Sequence, residues 1–158
     1  MVILKNKVAG LSVASLVRFA NRAGTLAALQ GRFNVLITDD DDLREWNSRF
    51  RDQDKSTDVL TFRAAQPGFA GEIAIASGIA AANAKSYGHS VPQEIKILIL
   101  HGILHLCGYD HEKDDGLMSR REEKLRLALR LPSGLIGRNS GDVRKAPNSR
   151  RTNKSRRR

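Results

Sequence analysis

The chain has 158 residues, 41% of them apolar and 28% charged, enough for one domain with a hydrophobic core. A lone cysteine, Cys107, excludes an internal disulfide and fits a reducing compartment. No stretch is long enough to span a membrane, and the apolar opening is broken at Lys5 and Lys7, too soon for a signal peptide. The net charge of +10 is uneven: residues 138–158 hold nine Lys and Arg against one acid, Asp142, so the excess belongs mostly to the tail.

In chain order, residues 2–5 read as a short strand and residues 11–29 as an amphipathic helix with Leu11, Ala14, Leu16, Phe19 and Ala23 among its core candidates. Residues 32–38 alternate through Phe33, Val35 and Ile37 as a strand does. The four aspartates that follow, Asp39 to Asp42, stand where a helix begins. Carboxylates there cap exposed amides and suit the helix dipole, so capping is the expected role rather than a cation site. That helix is expected to end near Phe50, with a polar loop over residues 51–57. Strands over 58–63 and 71–77 are separated by a loop containing Pro67 and Gly68. An alanine-rich helix over 77–87 closes at Gly88. Pro92 opens a central helix, and a last helix is expected over 114–131. Pro132 and Gly134 end the folded body. Strands and helices interleave, which predicts a single α/β (α+β) domain: one mixed four-stranded sheet with helices packed on it and a buried central helix. Residues 138–158 have almost no large apolar side chains and are expected to be a basic, disordered tail on a domain spanning 1–137.

The central helix carries the chemistry. His101 and His105 are four apart, so their side chains leave one helix face a turn apart. Gly108 supplies the left-handed residue that ends a helix, and the chain can then bring His111 back towards the other two. Three imidazoles with a fourth position open form the donor set of a catalytic zinc. Isolated histidines near an apolar helix are more often satisfied core or surface residues, but two imidazoles in so apolar a run need partners, and a shared metal supplies one. The spacing matches the peptidase signature H-E-x-x-H-x-x-G-x-x-H, except that Gly102 replaces the glutamate that takes the proton from water.

Three segments stand in one order: Asp54-Lys55-Ser56-Thr57-Asp58-Val59-Leu60-Thr61-Phe62, then Gly71-Glu72-Ile73-Ala74-Ile75, then residues 101–111. Over residues 1–131 the chain resembles the YbeY family of bacterial endoribonucleases. The resemblance implies a single-domain α/β fold with Zn2+ held by His101, His105 and His111. It implies hydrolysis of single-stranded RNA in maturation of the 3′ end of small-subunit ribosomal RNA and in ribosome quality control. It further implies ribosomal RNA and the ribosome or its small subunit as partners, in the cytoplasm and with no membrane. Arg51 matches the family arginine that faces the metal cleft and binds phosphate; taken alone, it reads as a solvated loop residue. Asp58, Glu72 and Asp110 are each open to orienting or surface roles, His89 is expected to be exposed, Tyr109 to pack beneath the metal and Cys107 to be a small apolar residue. Two other readings stay open: a metallopeptidase, which Gly102 disfavours, and a non-catalytic ribosome assembly factor with a structural metal.

Overall fold

A computed structural model describes residues 1–132; the expected basic tail, 138–158, lies outside the described residues. The order of elements is β1 (Val2–Leu4), α1 (Val13–Leu26), β2 (Arg32–Thr38), α2 (Asp40–Arg51), β3 (Val59–Arg63), β4 (Phe69–Ala76), α3 (Ser77–Tyr87), α4 (Val91–Leu106) and α5 (Leu117–Ala128). The sheet runs β1-β2-β4-β3. β1, β2 and β4 are mutually parallel neighbours, while β3 is antiparallel to β4 on one edge. The mixed four-stranded sheet expected from the sequence is therefore present.

Alternation along the strands divides the core in two. Val35, Ile37, Ile73 and Ile75 face the main cluster, which contains α1, α4 and α5 side chains. Leu60, Ala74 and Ala76 face the other way, onto Leu43 of α2. α4 is apolar on nearly every side, and the sheet, α1, α3 and α5 all pack against it. Its start is fixed by a capping box, in which the Ser90 and Gln93 side chains each take the other's backbone amide, with proline in the first turn. Midway along, Gly102 lets the helix backbone press onto β4: a Cβ there would lie 2.8 Å from Ile73 Cγ2. Among the described residues, no helix is long and apolar enough to cross a membrane.

The aspartate run is structural, as capping predicts, but serves two helices. Asp39 Oδ1 accepts from the Asp42 amide at 2.9 Å and caps α2. Asp40 Oδ1 accepts instead from the Ile79 amide at 3.0 Å, at the start of α3. Asp42 accepts from Lys5 Nζ at 2.6 Å and Thr38 Oγ1 at 2.5 Å, tying α2 to β1 and β2.

Several boundaries differ from the sequence expectation. α1 spans Val13–Leu26 rather than 11–29, because Ser12 caps its start and Ala28 takes a left-handed conformation beyond its end. α2 runs through Arg51, so this residue closes a helix instead of opening a loop; Asp52 is left-handed and stops it. β4 starts at Phe69 rather than 71, because residues from Phe69 onward pair with β2 from Arg32. α5 starts at Leu117, since residues 110–116 form turns first and Asp114 Oδ2 accepts from the Met118 amide.

The close approach at Gly102 has a measurable consequence. Gly102→Ala should force Ile73, which is fully buried, off its position and destabilise the protein by about 1–3 kcal/mol. Equilibrium urea unfolding should show a lower midpoint with an unchanged slope.

Candidate metal centre

The last two turns of α4 present His101 and His105 on one face, and Gly108, with φ of +99°, reverses the chain directly after the helix. The reversal is held by the Tyr109 amide donating to Leu104 O at 3.1 Å. His111 is thereby returned to the cluster, with ring centroids 5.4 Å from both His101 and His105. The His101 and His105 centroids are 4.7 Å apart. One ring nitrogen from each histidine lies within 4.8 Å of the others. The three residues read from the sequence are thus brought together.

The hydrogen bonds around the rings decide which nitrogens face inward. His105 Nδ1 lies 3.0 Å from Tyr109 O. A carbonyl only accepts, so Nδ1 carries the proton. His101 Nδ1 lies 3.3 Å from Glu122 Oε2, and a carboxylate likewise fixes the proton on Nδ1. With the rings neutral, both Nε2 atoms present lone pairs, and they lie 3.1 Å apart. Two lone pairs facing at that distance repel unless a cation lies between them. Protonating His105 is disfavoured: burial, and then the neighbouring His101, push its imidazole down to about 4. Among the described residues, Nδ1 of His111 is buried with no hydrogen-bond partner. Two Nε2 atoms turned towards each other and an unsatisfied third ring fit a divalent cation bound through nitrogen.

Glu122 was not singled out by sequence reasoning. It is 2% exposed, on α5, among Met118 and Leu125. The available signal was an acid in the apolar stripe of that helix, at the spacing of Met118, Glu122, Leu125 and Leu129.

The cleft over the histidines is walled on its other side by β3 and the end of α2, and Arg51, Asp58, Thr61, Arg63 and Asp110 line it. Arg51 reaches in from the α2 terminus, its Nη2 donating to Thr61 O at 2.7 Å. Asp58 accepts from Asn83 Nδ2 at 3.3 Å, and burial raises its carboxyl above the usual range. Asp110 accepts from the Glu112 amide at 3.1 Å and shapes the turn before the last histidine. Glu72 lies away from the cleft, exposed, with Asn34 Nδ2 at 3.3 Å. Tyr109 packs against the core, and its carbonyl rather than its ring serves the site. Cys107 is half-buried at the helix end, its thiol 3.6 Å from Ala27 O. The expectation for His89 is overturned: its side chain is 8% exposed and lies 2.5 Å from Glu94 Oε2, a fully buried carboxylate. The loop residues around it suggested exposure, but the first turn of α4 covers it.

Comparison with known proteins gives a consistent result. The family model for endoribonuclease YbeY matches residues 6–130. A protein named endoribonuclease YbeY from Koribacter versatilis is 51% identical over 146 residues, covering 92% of this chain and 96% of the relative. One from Solibacter usitatus, with the same name, is 49% identical over 121 residues, covering 77% and 82%. The solution structure of TM1509 from Thermotoga maritima superposes with a TM-score of 0.58 at 26% identity, covering 96% of this chain and all of that one.

If Glu122 holds His101 in the tautomer that exposes Nε2, Glu122→Gln should weaken metal binding by about 10–100-fold while the protein stays folded. His105→Ala should abolish most of it. Competition with a chromogenic chelator measures both.

Proposed function

The chain belongs to the endoribonuclease YbeY family, and on that premise we propose that it is a zinc-dependent endoribonuclease specific for single strands. It acts in ribosomal RNA maturation, at the 3′ end of the small-subunit RNA, and in ribosome quality control. Its partners are ribosomal RNA and the ribosome or small subunit, in the cytoplasm. The observation that carries the reading is the pair of opposed Nε2 atoms on His101 and His105, backed by His111. These three residues would hold the metal. Once bound, the ion supplies a hydrolytic nucleophile near neutral pH and charge stabilisation at the phosphoryl group.

The protein's own residues have separate tasks. His101 and His105 are oriented, with Nδ1 turned away from the site, by Glu122 and the Tyr109 carbonyl. Arg51 spends one donor on Thr61 O, which fixes its guanidinium at the cleft wall and leaves the rest of the fork for a phosphate. The chain is divided into a folded unit, 1–137, and a basic arm, 138–158, whose cations bind RNA without sequence preference.

Two observations count against the peptidase reading. Gly102 cannot act as a base, and the Ile73 contact leaves a glutamate no room. The strand edge beside the cleft is also partly covered. Asp58 O and the Ala64 amide pair with β4, so Val59 and Thr61 turn their carbonyls to the outer edge. Thr57 Oγ1 takes the first at 3.4 Å and Arg51 takes the second. An extended peptide adding to that edge would find both acceptors occupied.

Metal analysis and cleavage of a single-stranded RNA, with and without chelator, test the reading. Arg51→Ala should keep the metal and lose cleavage by on the order of a hundredfold, with Arg51→Lys restoring part of it. Equal cleavage by Arg51→Ala and wild type would make the arginine an edge-capping residue only. Metal-dependent hydrolysis of casein by the wild type would favour the peptidase. Truncation after Gly137 should leave metal content and stability unchanged but flatten the dependence of log affinity on log salt by several times ~0.7, the slope for each phosphate of a single strand. An unchanged slope would leave the arm as a solubilising extension.

A further inference from the structure

A second arginine borders the same cleft. Arg63 is the last residue of β3, and alternation along the strand puts Val59, Thr61 and Arg63 on one face. Their partners on β4 are Ile75, Ile73 and Gly71, and Ile73 contacts Gly102 of α4, so this is the face that α4 covers. Arg63 is therefore directed to the end of α4 where the histidines lie. Its guanidinium passes close to Gly108: a Cβ built on Gly108 would lie 3.6 Å from Arg63 Nη2.

The guanidinium is exposed, and among the described residues it has no hydrogen bond or ion pair. That distinguishes it from Arg121 and Arg126, whose side chains are fixed on Leu26 O and Leu131 O. Arg63 also lines a neighbouring concavity floored by Leu106, Cys107 and Ala70. It thus marks the passage from the metal cleft to a second groove on the surface.

We propose that Arg63 is a phosphate-binding residue that holds the RNA strand beyond the cleavage site and guides it from the metal cleft into this second groove. The inference rests on the endoribonuclease reading. Arg51 is anchored at Thr61 O, and Arg63 lies two residues further along the strand, about 6.6 Å at the usual rise. One guanidinium is fixed at the outer edge of β3 and the other lies beside Gly108, so they meet different phosphates of an extended strand. Arg51 holds the phosphate nearest the metal and Arg63 a later one. A single extended strand suits the arrangement, because both arginines enter the cleft from β3 and the end of α2, facing the histidines.

The competing role for Arg63 is structural, as a cation placed at the C-terminus of α4, where it favours the helix dipole. The two roles separate experimentally. Full-length, zinc-loaded protein is titrated against a fluorescein-labelled 2′-O-methyl oligouridylate, a single strand that lacks the reactive hydroxyl, over a series of salt concentrations. Thermal unfolding and zinc content are measured on the same samples. Arg63→Gln should weaken binding at low salt by roughly tenfold, the value of one charge-assisted hydrogen bond. It should flatten the log–log salt slope by about 0.7 while leaving the melting temperature and zinc content unchanged. Arg63→Lys should restore the slope, since the slope counts charge. If wild type binds the oligonucleotide and Arg63→Gln has the same slope, the proposal is overturned and the endoribonuclease reading stands. A fall in melting temperature with an unchanged slope assigns Arg63 to the helix terminus. Failure of the wild type itself to bind at low salt overturns the RNA reading and this proposal with it.

Discussion

The structure around α4 depends on one electrostatic constraint. A helix almost wholly enclosed by apolar side chains carries two imidazoles on one face, and both have committed their Nδ1 protons to acceptors that cannot donate in return. Their remaining lone pairs are held 3.1 Å apart by the helix itself. In water such an arrangement would relax by protonation. Here burial opposes the charge, as the depressed His105 shows. The fold thus aligns three ring nitrogens for a cation at the side of the cleft, and much of the surrounding architecture serves to keep that point rigid.

The supports come from distant parts of the chain. Gly102 brings α4 onto Ile73 of β4, which sets the height of the histidines above the sheet. α5 returns Glu122 to the far side of His101, while Gly108 reverses the backbone so that one short turn delivers both the Tyr109 carbonyl and His111. On the open side, β3 is an edge strand whose Val59 and Thr61 carbonyls are covered by Thr57 and Arg51. The same guanidinium therefore covers a carbonyl of the strand edge and lines the cleft. The cleft carries Arg51 and Arg63 on its β3 side alongside Asp58, Asp110 and Glu112, and it offers an extended peptide no free carbonyl at Val59 or Thr61.

Much of this was legible in the sequence. The histidine trio could be read because helical periodicity and a helix-ending glycine are local rules, and the strands because alternation is local too. What escaped depends on contacts between distant residues. Glu122 stands in the apolar stripe of α5, but its partner His101 is set only when α5 is packed against α4. His89, between Gly88 and Ser90, has the neighbours of a surface loop, and only the carboxylate of Glu94 explains its burial. The start of β4 lay hidden behind Pro67 and Gly68, because its first residues are recruited by pairing with β2. Asp40 showed the right chemistry with the wrong partner: capping was foreseen, but for its own helix rather than for α3. Arg51 was assigned to the cleft by family resemblance alone. The geometry adds the physical reason for its fixed position, a helix terminus on one side and the Thr61 carbonyl on the other.

The central claim is that His101 and His105 keep their protons on Nδ1 and offer Nε2 to a cation. The most direct test is nitrogen-15 NMR of the imidazole rings in metal-free and zinc-titrated protein near neutral pH. The account predicts rings protonated at Nδ1 for both residues before zinc is added, with the Nε2 resonances of His101 and His105 moving on binding and the Nδ1 protons retained. Rings protonated at Nε2 in the metal-free protein, or ring nitrogens that ignore a stoichiometric addition of zinc, would contradict it.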